Sequence, residues 1–107
     1  MIVEVFLSKA LICFAGMCHP ALVGDRTPTG TFPLKVIPIS KPQYDGDVIR
    51  FAPDGPKAVF AIHRPPSARR RQLLKGERRT GVTLGCINVQ DHVYEQLKPY
   101  RQVRIHE

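Results

Sequence analysis

Apolar positions in this chain fall in short runs separated by turn-forming residues, and no stretch keeps a helical period for long. Residues 2–7 and 11–15 are apolar segments on either side of Ser8-Lys9-Ala10, the spacing of a strand pair joined by a short turn. Val23-Gly24-Asp25-Arg26-Thr27-Pro28-Thr29-Gly30 is a cluster of turn formers. Residues 31–39 then read as a strand that Pro33 and Pro38 push towards a sheet edge or an irregular course. Asp45 and Gly46 predict a turn before a strand at 48–51. Asp54 and Gly55 predict another before 58–63, so that 48–63 forms a hairpin. From Arg64 to Gly81 the pattern fails. Pro65 and Pro66 stop the strand, and residues 67–75 fit a short basic helix ended by Gly76. Small and apolar residues return at 81–89. Asp91 is expected to cap a helix carrying Val93, Tyr94 and Leu97 and stopped by Pro99. Val103 and Ile105 alternate with polar and charged residues, as in a final edge strand. The expectation is a mostly β fold with one or two short helices.

Composition narrows this further. At 107 residues, the chain is expected to form a single domain spanning 1–107. Its 43% hydrophobic and 23% charged residues place it with globular rather than disordered proteins. No apolar run approaches the roughly eighteen residues a membrane-crossing helix needs, so no membrane span is expected. Glu4 and Lys9 interrupt the apolar start, no basic segment precedes it and no cleavage pattern is clear. The chain therefore reads as lacking an export signal.

The formal net charge of +7 is local. Arg64, Arg69, Arg70, Arg71, Lys75, Arg78 and Arg79 are opposed only by Glu77, which leaves the other 91 residues almost neutral at +1. Such a window suits an anionic partner: nucleic acid, acidic lipid headgroups or a carboxylate-rich polymer such as bacterial cell wall. A solvated loop is the bland alternative. Nucleic acid is disfavoured, because no binding motif is present and no aromatic residue in the window could stack a base. Of the three cysteines Cys13, Cys18 and Cys86, at least one must remain outside any intrachain disulfide. Cys13 and Cys18 read as packing residues, with pairing left open for an oxidising compartment. Cys18, His19, His63 and Cys86 match no zinc spacing, so no metal is expected. His92 and His106 are expected to be solvated.

Two segments carry chemistry. In Ala61-Ile62-His63 an imidazole emerges at the end of an apolar strand. In Thr83-Leu84-Gly85-Cys86-Ile87-Asn88 a cysteine follows a glycine in a tight apolar segment. A cysteine nucleophile needs a base or cation to hold it as thiolate and a set of N–H donors for the developing oxyanion. Gly85 lets the backbone fold closely beside Cys86.

These residues resemble the L,D-transpeptidases, the YkuD-type murein enzymes. Members carry a histidine at a strand end, then a loop, then Ser/Thr-x-Gly-Cys-hydrophobic-Arg/Asn, which Thr83-Leu84-Gly85-Cys86-Ile87-Asn88 fits. Thr27-Pro28-Thr29-Gly30-Thr31-Phe32 is similar to the family's upstream Thr-Pro-Thr-Gly-x-Phe turn, and the resemblance spans roughly residues 2 to 98. Three departures stand out. Leu84 is where many members have His, Arg64 is where they have Gly, and a basic loop insertion at about 64–80 lengthens the His-to-Cys interval.

The resemblance implies an L,D-transpeptidase-like β-sandwich acting on peptidoglycan tetrapeptide stems through a thioester. Cys86 would attack the carbonyl between meso-diaminopimelate and the terminal D-Ala, with His63 as base, a chemistry that needs no other cofactor. The backbone carbonyl of Arg64 would orient His63, and amides around Gly85 would form the oxyanion hole. Thr83 and Asn88 would brace the loop. Thr83, Leu84, Arg69, Arg70 and Arg71 would meet substrate, the arginines as a lid drawing in stem carboxylates. The acceptor stays open: a second stem, a free D-amino acid, or water in an L,D-carboxypeptidase. A non-catalytic cell-wall or nucleic-acid binding module using the arginines is the alternative outside this class. The site of action would be periplasm or cell wall. With no export signal visible, that implies an excised domain or delivery by a phage or a secretion system. An antibacterial effector of that kind would have an immunity protein as partner.

Overall fold

Short strands with alternating burial build this protein. In the computed structural model, which describes residues 1–52 and 60–107, β1 (Val3–Phe6) buries Val3 and Val5 and turns Glu4 outward. It pairs antiparallel with β2 (Leu11–Phe14), as expected for the first hairpin. A two-residue turn, Ala15-Gly16, with φ of 51° and 78°, then leads into β3 (Met17–Leu22). Two positive φ values match the twist of flanking antiparallel strands. This strand was not expected, because Pro20 lacks an N–H and the polar Cys18 and His19 break the apolar pattern. Cys13 lies directly across from Cys18 in the β2–β3 register, and the two form a disulfide.

The expected single strand at 31–39 is two. Among the described residues, β4 (Gly30–Pro33) pairs only with β9 (Gln102–His106), and β5 (Lys35–Pro38) only with β6 (Asp47–Arg50). The chain breaks at Leu34 and the two pieces take opposite edges of the sheet, where Pro33 and Pro38 are tolerated. A 3-10 turn at Pro42–Tyr44 and Asp45 in the left-handed region (φ 55°) lead into β6. β6 then pairs antiparallel with β7 (Ala61–His63), with Ile49 opposite Ile62. The expected turn at Asp54 and Gly55, with Ala58 and Val59 after it, lies outside the described residues.

The window after His63 is not loop throughout. Ser67 accepts from the Arg70 amide and caps α1 (Ala68–Leu74). β8 (Ile87–Val89) follows, pairing parallel with β7 and antiparallel with β3. α2 (Asp91–Leu97) buries Val93, Tyr94 and Leu97; its cap is Gln90 rather than Asp91, which sits in the first turn. β9 is an interior strand, parallel to β1 and antiparallel to β4, not the expected edge. Its alternation reports which face is buried, and the outward Arg104 and His106 meet Glu4 on β1.

Among the described residues the nine strands run β4-β9-β1-β2-β3-β8-β7-β6-β5. β3 belongs to both halves, its first part pairing with β2 and its last two residues with β8. One apolar cluster draws Val3, Val5 and Ile105 from one half and Ile49, Ile62 and Ile87 from the other. The fold is thus a mostly β sandwich with two short helices. No helix of the described residues is long and apolar enough to cross a membrane.

The disulfide spans a short loop, so Cys13→Ser is expected to cost roughly 2 kcal/mol. Thermal melts with and without dithiothreitol check this. The wild type should melt lower when reduced, and the variant should be indifferent to reductant; a wild type indifferent to reductant excludes the bridge.

Candidate active site

Parallel pairing of β7 with β8 sets Ile62 beside Ile87 and His63 beside Asn88. Side chains alternate between faces along a strand. The two isoleucines therefore enter the core, while His63 and Asn88 share the other face. Cys86 immediately precedes β8 and is half-buried. The structure thus brings His63, Asn88 and the Cys86 segment to one end of two adjacent strands.

His63 is 4% exposed, and both ring nitrogens meet protein atoms. Nδ1 lies 2.7 Å from the carbonyl oxygen of Arg64. A carbonyl can only accept, so Nδ1 carries the proton and Nε2 the lone pair in the neutral ring. Asn88 Nδ2 donates to Nε2 at 3.3 Å. That orientation of the amide agrees with its other end, where Oδ1 accepts from Arg70 Nη1 at 2.8 Å, because a guanidinium can only donate. Burial pushes the His63 pKa below the ordinary histidine value; the hydrogen bond to Arg64 pulls it up, and the Arg70 charge pushes it down again. The edge of the Tyr44 ring also packs on the imidazole, with centroids 4.7 Å apart.

Arg64 supplies more than a carbonyl. Its side chain is buried, its Nη1 donates to the Tyr44 carbonyl at 3.0 Å and to Asp47 at 3.3 Å, and its Nη2 donates to Glu95 at 2.5 Å. The guanidinium also lies 4.2 Å from the centroid of the Tyr94 ring, whose hydroxyl donates to Asp47 at 2.6 Å. Burial alone would lower the Arg64 pKa, but the Glu95 hydrogen bond and the Asp47 charge raise it above the usual value. Glu95 is held below the ordinary carboxylate range, chiefly by Arg64 and Lys98.

The cysteine segment is tied down from the opposite side. Thr27 Oγ1 accepts from the Gly24 amide at 3.2 Å and donates to the Gly85 carbonyl at 3.0 Å. The Arg26 amide donates to the Leu84 carbonyl at 3.2 Å, and Thr83 Oγ1 donates to the Cys86 carbonyl at 2.6 Å. A Cβ on Gly24 would overlap the Thr83 carbonyl, and one on Gly85 would lie 2.7 Å from the Phe60 ring. Both positions therefore require glycine for close approach. Leu84 is 70% exposed at the tip of this segment.

The predicted arginines separate in the structure. Arg70 joins Asn88, Arg71 pairs with Asp91 at 2.5 Å, and Arg69 is exposed. Sequence reasoning did not find the Tyr44 contact or the Asp47–Glu95 cradle of Arg64. Nor did it find the role of Thr27, although the turn holding Thr27 had been singled out. Of the histidines expected to be solvated, His92 is exposed, while His106 stacks on Phe6 and meets Glu4 at 3.2 Å. Among the described residues no cluster of three or more His, Cys, Asp or Glu is placed to hold a metal ion.

No protein-family model matches the sequence, and no curated protein does. Solved structures match in shape. An L,D-transpeptidase from Mycobacterium smegmatis superposes with a TM-score of 0.63 at 17% identity, covering 99% of this chain and 58% of that one. L,D-transpeptidase 3 from Mycobacterium tuberculosis, solved with a faropenem-derived adduct, gives a TM-score of 0.64 at 16% identity, covering 99% and 60%. An L,D-transpeptidase from Xylanimonas cellulosilytica gives 0.62 at 17%, covering 98% and 59%. The chain therefore has the L,D-transpeptidase fold, and it spans about three-fifths of the length of these chains.

Two outcomes check the geometry. Nitrogen-15 NMR of the histidine side chains should show His63 neutral at pH 7 with its proton on Nδ1, titrating below the ordinary value. Protonation then couples to unfolding. The unfolded histidine binds its proton first, so this group's contribution to stability is complete above about pH 6.5 and declines as pH falls towards the folded pKa. Separately, Thr27→Val removes a buried hydroxyl that both accepts and donates, and should cost about 1–3 kcal/mol in chemical denaturation.

Proposed function

We propose that this protein is a cysteine acyltransferase of the L,D-transpeptidase type that acts on peptidoglycan tetrapeptide stems. The observation that carries the reading is how the buried imidazole of His63 is held. Its Nδ1 donates a hydrogen bond to the Arg64 carbonyl, and its Nε2 faces Asn88, two residues beyond Cys86. A buried base with its proton fixed on the far nitrogen is set to accept a thiol proton. The shared fold with L,D-transpeptidases supports the same reading.

In this mechanism Nε2 exchanges its contact with Asn88 for the Cys86 thiol and takes its proton. The sulfur attacks the carbonyl carbon between diaminopimelate and D-Ala. The oxyanion is held by amides of the segment around Gly85, which Thr27, Arg26 and Thr83 keep from shifting. The imidazolium formed on His63 is stabilised by the Arg64 carbonyl and returns its proton to the departing D-Ala amine. The thioester then passes to an amine, giving cross-linking or D-amino-acid exchange, or to water. The work would be done in the periplasm or cell wall.

A purely cationic binding module is less well supported. Arg64 and Arg71 are paired with carboxylates, and Arg79 donates to the backbone carbonyls of Ala10 and Gly76, which commits much of the window's charge internally.

Mass spectrometry of disaccharide-tetrapeptide muropeptides tests the proposal, with and without added D-methionine. Loss of D-Ala, exchange for D-methionine or a cross-linked dimer is expected with wild type, and each should fall roughly a thousandfold or more in Cys86→Ala. Muropeptides returned unchanged by reduced wild-type protein overturn the reading.

A further inference from the structure

We infer that Arg70 is the receptor for a carboxylate of the acyl donor next to the bond that is broken, an inference that rests on the function proposed above. The window's other cations are either committed to partners of their own or exposed to solvent. Arg64 is enclosed by Asp47, Glu95 and the Tyr94 ring, Arg71 is paired with Asp91, and Arg79 is turned to backbone carbonyls. Arg69, Lys75 and Arg78 are exposed. Arg70 alone of the window joins the site by its side chain without a carboxylate partner among the described residues. Its Nη1 donates to Asn88 Oδ1 at 2.8 Å, and the same Asn88 donates to His63. A guanidinium has five N–H donors in a planar fork, and Asn88 occupies one.

The donor carries the matching group. When the leaving group is a C-terminal amino acid, its free carboxylate lies within three bonds of the attacked carbonyl carbon, so whatever binds that carbonyl beside Cys86 also places an anion near Asn88. Diaminopimelate carries a second free carboxylate. Either would form a charge-assisted, bidentate pair with Arg70. Because Arg70 is one link from His63 through Asn88, donor binding draws on the same guanidinium that orients the amide facing Nε2.

Three donors test this: the disaccharide tetrapeptide, its D-alaninamide form, and a form amidated on the diaminopimelate carboxylate. Loss of the recognised carboxylate should lower wild-type kcat/KM about tenfold or more. Arg70→Gln keeps an N–H donor for Asn88 but no charge. It should narrow the difference between the free-acid donor and that amide to about twofold or less, with the loss on the free acid mainly in KM. Arg70→Lys should restore part of the preference, and Arg101→Gln, at an exposed site, should retain all of it. The amide that costs activity names which carboxylate is bound. A retained Nδ1 proton on His63 and an unchanged melting temperature in Arg70→Gln verify that the site is intact, while the His63 titration should move upward with loss of the Arg70 charge. A variant that slows all three donors equally makes Arg70 only a support for Asn88 and overturns the inference. Equal use of all three donors by wild type overturns it too, leaving the proposed function standing. No turnover of any donor removes both.

Discussion

A parallel strand cannot be reached by a tight turn, and the pairing of β7 with β8 is the constraint on which the site depends. Such a neighbour needs a crossover of about a dozen residues or more. Here the crossover is the stretch between His63 and Ile87, so the arginine-rich window and α1 are the connection that the pairing demands. The same register decides which side chains meet. Ile62 and Ile87 enter the core, and His63 and Asn88 emerge together on the other face. A slip of one residue in either strand would exchange these faces and place a polar group in the apolar cluster. Core packing thereby fixes the lateral position of the imidazole, and the crossover brings Arg70 within hydrogen-bonding distance of Asn88.

Burial then imposes a strict polar account. Among the described residues every buried side-chain nitrogen and oxygen has a hydrogen-bond partner. For His63 that means one acceptor and one donor; for Asn88 it means Arg70 at one end and His63 at the other. The Arg64 side chain extends the same logic. A buried ion pair is weak evidence of net stabilisation, because desolvation offsets much of the attraction. Its effect here is geometric. Contacts to the turn at Tyr44, to β6 through Asp47 and to α2 through Glu95 and Tyr94 restrain Arg64 on three sides, and with it the carbonyl that accepts the His63 hydrogen bond.

What the sequence made legible follows from the range of each signal. The mostly β class, the first hairpin, both helices and the strand ending in His63 rest on local alternation and on proline and glycine. All are present in the structure. Partners along the sheet are set by contacts between distant residues, and there the reading failed. The segment at 31–39 divides between the two edges of the sheet, and β9 lies inside because its alternation says nothing about neighbours. β3 was hidden by Pro20 and by its polar residues. In the site, Gly85 and Cys86 stood out as a local oddity in an apolar segment. The lock between Thr27 and Gly85 joins residues 58 positions apart, so neither end revealed it alone.

The electrostatics of the site set the order in which the proposed reaction proceeds. Positive charge is brought to the site by Arg70, which is held on Asn88. It disfavours an imidazolium on His63, and burial disfavours that cation further. An imidazolium on His63 is therefore a poor resting state for this site. An anionic donor changes the balance. A carboxylate beside Arg70 cancels the charge that opposes protonation of His63, while the forming oxyanion supplies a second negative group. The base becomes stronger as the donor arrives. In the proposed reaction, protonation of His63 is then favoured by the arrival of the acyl donor.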